Sequence, residues 1–151
     1  MLLGFKRRFA PFVEDGSKTH TIRALRKPSK FGYAVRSPRV GEMCHCYVDP
    51  RQKTMRLLGR WPCVKIERIT IASNTPYSRY GIWINGNVLT EDERNLLAWR
   101  DGFRTCGHQE HAFEEMMEFW NATHALPFEG VVIHWKRQQS RETSPAERKA
   151  A

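Results

Sequence analysis

Between Ile82 and Ala122 the hydrophobic period of the chain changes once, and local signals on each side of the change leave few folds open. Ile82–Leu89 is interrupted by Asn85-Gly86, a pair suited to a two-residue hairpin turn, where both central residues take positive φ. Thr90-Glu91-Asp92-Glu93 follows, with Thr at the N-cap and Glu at the third helical position, a capping box that starts a helix. That helix is predicted to reach Asp101 and to end at Gly102. A second helix is predicted over roughly Glu110–Ala122. There Phe113, Met116, Met117 and Trp120 recur at i, i+3, i+4 and i+7 as one core-facing stripe, and Glu114, Glu115 and Glu118 occupy the other face.

The remaining elements are mostly strands. Leu2–Phe5 is a short apolar run. Pro11 opens a short helix through Asp15, which Gly16 closes. Thr19–Ala24 and Met43–Val48 alternate as strands, and Asp49-Pro50 turns the chain. Met55–Leu58 and Cys63–Ile71 read as two strands, with Gly59 and Pro62 near the break between them. Pro127 precedes a last strand, Phe128–Trp135, with Val131, Ile133 and Trp135 on one side. Residues 25–41, with two prolines, two glycines and five basic residues, form a long exposed loop of the kind that often carries function. The order implies an α+β fold, a curved or barrel-like small antiparallel sheet with flanking helices, in one domain over residues 1–136. Residues 137–151 offer nothing large and apolar to bury and are expected to be a disordered basic tail.

No apolar run approaches the roughly 20 residues of a membrane span. The N-terminal MLLGFKRRF puts its apolar residues before its basic ones, the reverse of a secretory signal. A soluble, cytoplasmic protein is therefore expected, with Cys44, Cys46, Cys63 and Cys106 as free thiols. The net charge of +9 is uneven: residues 1–68 hold 16 Lys/Arg against 5 Asp/Glu, and residues 69–136 hold 5 against 9. A basic half beside an acidic half suggests a surface that meets a polyanion, and otherwise a solvated basic face.

Gly16 to Arg23 gathers the chemistry. Lys18 supplies a mobile cation and Arg23 a forked donor that suits phosphate. Thr19 and Thr21 supply hydroxyls, and His20 titrates near neutrality. The spacing is not that of a P-loop. From residue types alone it is either an anion-binding strand start or an exposed polar edge strand.

Gly-Xaa-Lys-Thr-Xaa-Thr-Ile-Arg after a short helix resembles the signature of ASCH domains, which have a PUA-like fold. Phe5-Lys6-Arg7-Arg8-Phe9-Ala10-Pro11-Phe12, Val40-Gly41-Glu42, Asp101-Gly102-Phe103, Phe119-Trp120 and Leu126-Pro127-Phe128-Glu129-Gly130 through Trp135 extend the resemblance to nearly the whole chain up to Trp135. It implies a PUA-like barrel and RNA as the preferred partner. Some small ASCH proteins remove the acetyl group from N4-acetylcytidine with a lysine, a threonine and a downstream glutamate. By position these correspond to Lys18 and Thr21, with threonine as nucleophile and lysine as its activator. Lys65 stands where the glutamate is expected, and Glu67 is two residues on, on the same side of a strand.

The expected function is binding of RNA, of another single-stranded nucleic acid or of a modified nucleoside. Lys18, His20, Thr21, Arg23 and Lys65 would line a basic cavity, and Arg26, Lys30, Arg36 and Arg39 would contact phosphate as a set. The alternatives are a hydrolase, acting on N4-acetylcytidine or cleaving RNA through Lys18, Thr21 and Glu67, and a phage or mobile-element protein that binds a host protein. No cofactor is expected. Phe31, Tyr33, Tyr77, Tyr80 and Trp83 lie near basic residues and are candidates to stack on bases, or else pack locally. Cys44 and Cys46, with Cys106, His108 and His111, match zinc spacing poorly, so no metal is expected. His124, His134 and Asp101 read as structural, Asp101 as a residue that stabilises a helix end.

Overall fold

The computed structural model describes residues 1–27, 30–32, 36–74 and 78–137; Tyr33, Tyr77 and the tail beyond residue 137 lie outside the described residues. The elements are β1 (Leu2–Phe5), α1 (Ala10–Asp15), β2 (His20–Ala24), β3 (Met43–Val48), β4 (Arg56–Asn74), β5 (Ser78–Ile84), β6 (Asn87–Val88), α2 (Glu91–Asp101), α3 (Ala112–Thr123) and β7 (Phe128–Trp135). The fold is α+β: seven strands in one sheet and three helices among the described residues. None of these helices is long and apolar enough to cross a membrane.

β4 is the spine of the sheet. Its first third pairs with β3, its middle with β7 and its last part with β5. The break expected at Gly59 and Pro62 does not occur. Pro62 lies at the end of the β3 pairing, where its missing N–H is not needed, and its carbonyl accepts from Lys136 N at 3.1 Å. Gly59 lets the Trp61 ring lie against the backbone, where a Cβ would collide with it. Leu58 and Val64 are each squeezed out of register as bulges, and bulges bend a strand. Thus β4 bends while staying continuous.

The sheet is mixed, which corrects the antiparallel expectation: β1 pairs with β3 in parallel. Parallel neighbours need a long crossover, and here the chain between them runs through α1 and β2. β2 itself pairs with β7, on the other branch of the sheet. No backbone pairing joins β1 to β2 among the described residues, so the sheet is not closed. A side chain spans the seam instead, with Arg23 Nη2 donating to Gly4 O at 2.6 Å.

The strand register assigns the faces. In the rows Thr21–Ile133–Ile66 and Arg23–Val131–Arg68 the side chains share one face. His20–His134–Lys65 and Ile22–Val132–Glu67 share the other. Near the first face Phe5 meets Trp135 edge-on at 5.9 Å, and Trp135 stacks on Trp61. On the second, Trp120 of α3 meets Phe128 edge-on at 5.0 Å, and the predicted stripe of α3 is buried.

The predicted capping box is present in both directions: Thr90 Oγ1 accepts from Glu93 N at 3.2 Å, and Glu93 Oε1 accepts from Thr90 N at 3.1 Å. Gly102, at φ 112°, ends α2 in the left-handed region. Replacing Thr90 with Ala removes one of these bonds and is expected to cost about 1 kcal/mol in urea unfolding.

Candidate functional site

The site is built where the start of β2 meets the end of α2. Gly16, at φ 84°, ends α1, and Lys18 N then donates to Phe12 O at 2.9 Å. The chain is thus bent ahead of β2, and Lys18 turns inward before regular alternation begins. That bend lets Lys18 and Thr21, three residues apart, line one cavity, although an ideal strand would put them on opposite faces.

Lys18 is 2 % exposed and Asp101 5 %. Lys18 Nζ donates to Asp101 Oδ1 at 2.5 Å and to the Asp101 backbone carbonyl at 2.7 Å. Arg104 fixes the same junction from outside, donating from Nε to Trp99 O at 2.7 Å and from Nη1 to Ser17 Oγ at 3.2 Å. Behind the pair, His20 Nε2 lies 3.2 Å from Asp101 Oδ1 but off the hydrogen-bond direction, so this buried nitrogen has no partner.

Burial opposes charge on all three groups. It would raise the Asp101 carboxyl, but the Lys18 ammonium and then His20 outweigh it and hold Asp101 well below the usual carboxylate range. Burial lowers Lys18, and Asp101 offsets only part of that. Burial lowers His20 also, against the pull of Asp101, so its ring is neutral at neutral pH. Two acceptor oxygens of Asp101 hold the Lys18 proton, so the ground state is the charged pair.

A cavity of about 400 Å³ opens on this pair. Its polar lining includes Lys18, Thr21, Arg23 and Asp101, and its walls are the rings of Phe5, Phe9, Phe103, Phe119, Trp120 and His124. Trp120 and His124 are stacked with ring centroids 4.5 Å apart. Lys6 stands over Phe119 at 4.7 Å and also lines the cavity. Buried polar groups normally find partners, yet Arg23 Nε and Trp120 Nε1 have none among the described residues. Thr21 Oγ1 and Asp101 Oδ2 likewise make no hydrogen bond among the described residues. The two nitrogens are enclosed, so the Thr21 hydroxyl and the Asp101 oxygen are the groups left for a ligand between the aromatic walls.

The other predicted residues lie elsewhere. Arg26 Nη1 donates to Arg36 O at 2.8 Å, and Arg36 pairs with Glu42 at 3.4 Å. Arg39 offers its backbone N–H to Glu42, and Lys30 stands over the exposed Phe31 ring. These belong to the loop ahead of β3 and do not line the cavity. Tyr80 accepts from Asn121 Nδ2, and Trp83 sits half-buried in the β5–β6 hairpin. Lys65 and Glu67 are on the face opposite Thr21. The bulge at Val64 is real, but it leaves Glu67 bound to His134 Nε2 at 2.7 Å and 3.5 Å from Lys65 Nζ. Glu67, His134 and His20 line a separate groove under α2. The carboxylate beside Lys18 is that of Asp101.

Asp101 did leave a trace in the sequence. An acid in the last turn of a helix opposes the helix dipole, and such a residue calls for a nearby cation. The aromatic walls gave no separate signal, because cavity rings and core rings share one pattern. Among the described residues no three His, Cys, Asp or Glu are placed to hold a metal ion. Burial pushes the Cys44 thiol up to about 11 and Cys46 to about 12, so both pack as neutral small hydrophobes.

No protein-family model, no curated protein and no solved structure matches the chain.

Asp101→Asn leaves Lys18 buried without its counter-ion and is expected to cost about 3–5 kcal/mol in chemical unfolding. In the parent, folded His20 and Asp101 bind protons less readily than in the unfolded chain, so stability falls with falling pH. The loss from His20 begins as pH drops through 6.5, where the unfolded ring protonates, and that from Asp101 follows through 3.8; Lys18, lowered likewise, contributes its loss at higher pH, as the unfolded amine protonates through 10.5. His20→Gln is expected to flatten the His20 slope in a series of thermal midpoints. The contribution of His124, which is shifted in the same direction, remains.

Proposed function

We propose that this chain is an ASCH-type domain of the PUA-like kind that binds single-stranded nucleic acid, RNA in preference to DNA, with one base seated in the cavity at the β1–β2 seam. The observation that carries the reading is the pairing of a free donor with a free acceptor between aromatic walls. Flat bases stack on such rings. A carboxylate oxygen accepts from an exocyclic amino group, and Lys and Arg donate to ring carbonyls or nitrogens. Asp101 Oδ2, the Thr21 hydroxyl and Arg23 offer that combination in one place. A volume of about 400 Å³ suits one base rather than a duplex. The PUA-like affiliation is supported by the bent sheet, whose edge strands β1 and β2 face each other across a gap spanned by Arg23. The basic N-terminal half, with Arg26, Lys30, Arg36 and Arg39 on one loop, is suited to attract the strand.

A hydrolase acting on N4-acetylcytidine is the second reading, favoured by the unpartnered Thr21 hydroxyl in the same cavity as Lys18. Attack by Thr21 Oγ1 on the acetyl carbonyl needs a base for its proton. Burial lowers the proton affinity of Lys18, in the direction that role requires. Without ligand, Lys18 Nζ is committed to Asp101, which favours binding over catalysis.

Fluorescence anisotropy with labelled single-stranded RNA and DNA tests the first reading. RNA affinity is expected to exceed that for DNA and to fall as salt rises, and Thr21→Val is expected to weaken binding several-fold, about 1 kcal/mol for one hydrogen bond. Undetectable binding of both at low salt would discard it. For the second reading, turnover of N4-acetylcytidine is compared in the parent, Lys18→Ala and Thr21→Ala; equal rates in all three would remove those residues as its site.

A further inference from the structure

On the other side of Arg23 lies a second chamber, of about 450 Å³. Three arginines line it, Arg23, Arg26 and Arg68, against an apolar floor that includes Ile66, Val131 and Ile133. No carboxylate lines it among the described residues. The strand register explains why the arginines converge. Arg23 on β2 and Arg68 on β4 both stand opposite Val131 of β7, one on each flank. They therefore rise from one row of one face, with Cα atoms roughly 10 Å apart at the usual strand spacing. That separation lets two long side chains reach a single group held over Val131.

Four other arginines are neutralised in place. Arg7, Arg8, Arg36 and Arg56 each pair with a carboxylate within 4 Å. Arg68 makes no side-chain hydrogen bond or ion pair among the described residues. Arg26 gives one N–H to a backbone carbonyl. Arg23 gives one to Gly4 O and keeps a buried Nε without an acceptor. Three guanidinium groups around an apolar floor, with no acid among them, form a site for an anion. The forked geometry of guanidinium matches the paired oxygens of a phosphate.

Arg23 lines the base cavity as well. Whatever anion fills the second chamber therefore adjoins the group in the first. We propose that the second chamber holds the phosphate diester next to the base seated in the cavity, so that the ligand is a strand rather than a free nucleoside. This rests on the base-binding reading above and adds Arg68 as a phosphate-positioning residue.

Calorimetric titration of the full chain with cytidine, with a cytidine tetranucleotide of RNA and with inorganic phosphate tests this, using the parent and Arg68→Gln. Arg68 is exposed, so the variant is expected to keep the parent's thermal midpoint. The parent should bind the tetranucleotide more tightly than cytidine. Arg68→Gln should lose on the order of ten-fold in tetranucleotide affinity, as for one charge-assisted contact, with cytidine affinity unchanged. Its slope of log K against log salt should shrink by roughly 0.7, one single-strand phosphate contact. Unchanged tetranucleotide affinity and slope in Arg68→Gln, with the parent binding both probes, would overturn the phosphate chamber and leave the base cavity standing. Inorganic phosphate binding as tightly as the tetranucleotide would make the chamber a free-anion site and overturn the strand proposal. A parent that binds neither cytidine nor the tetranucleotide removes the base-binding reading, and this inference with it.

Discussion

Lys18 and Asp101 are both withdrawn from water, and that pair is the constraint on which the site depends. Burying either charge alone is prohibitive, and even a paired burial barely breaks even unless the remaining donors and acceptors are satisfied. Here Lys18 is held by two oxygens of Asp101. The pair joins residues 83 positions apart and so fixes the beginning of β2 against the end of α2. A buried pair of this kind is weak evidence for stability. Its lining of an aromatic-walled cavity, with one carboxylate oxygen left over, is consistent with recognition of a polar, planar group.

The open seam between β1 and β2 follows from how β4 is built. A straight strand of 19 residues would run roughly 60 Å, too long for a domain of this size. Two bulges bend it, and its length is shared among three partners. β1 is thereby carried on one branch of the sheet and β2 on another, and they face each other without pairing. Unpaired edges are usually a liability that proteins cover or block. Here Arg23 crosses the gap to Gly4, and the space on its two sides forms the two chambers.

The charge asymmetry of the chain takes on a spatial meaning. The arginine chamber is lined by β1, β2, the loop between β2 and β3, β4 and β7, with no acid among the described residues that line it. The α2–α3 groove is lined by Glu91, Glu110, Glu114 and Glu118 against a single arginine. A polyanion approaching the molecule is attracted to one and repelled by the other, a field that orients its arrival.

Much of the fold was legible in the sequence because its signals are local. The Asn85-Gly86 turn, the Thr90–Glu93 capping box, the Gly102 stop, the α3 stripe and the bounds of β3 and β7 each depend on neighbouring residues, and all appear in the structure. Residue types alone left Gly16–Arg23 open between an anion-binding strand start and an exposed polar edge; the resemblance to the ASCH signature is what singled out Lys18 and Thr21. The continuity of β4 was not legible, because whether Gly59 and Pro62 break a strand depends on what lies beside them: a Trp61 ring and the end of the β3 pairing. The partner of Lys18 was not legible either. Glu67 is the nearer carboxylate in the sequence, but strand register places it across the sheet with His134, and only the packing of α2 delivers Asp101. Residue types and short spacings set which groups were available. Long-range register and helix docking, which a linear pattern does not encode, decided which of them meet.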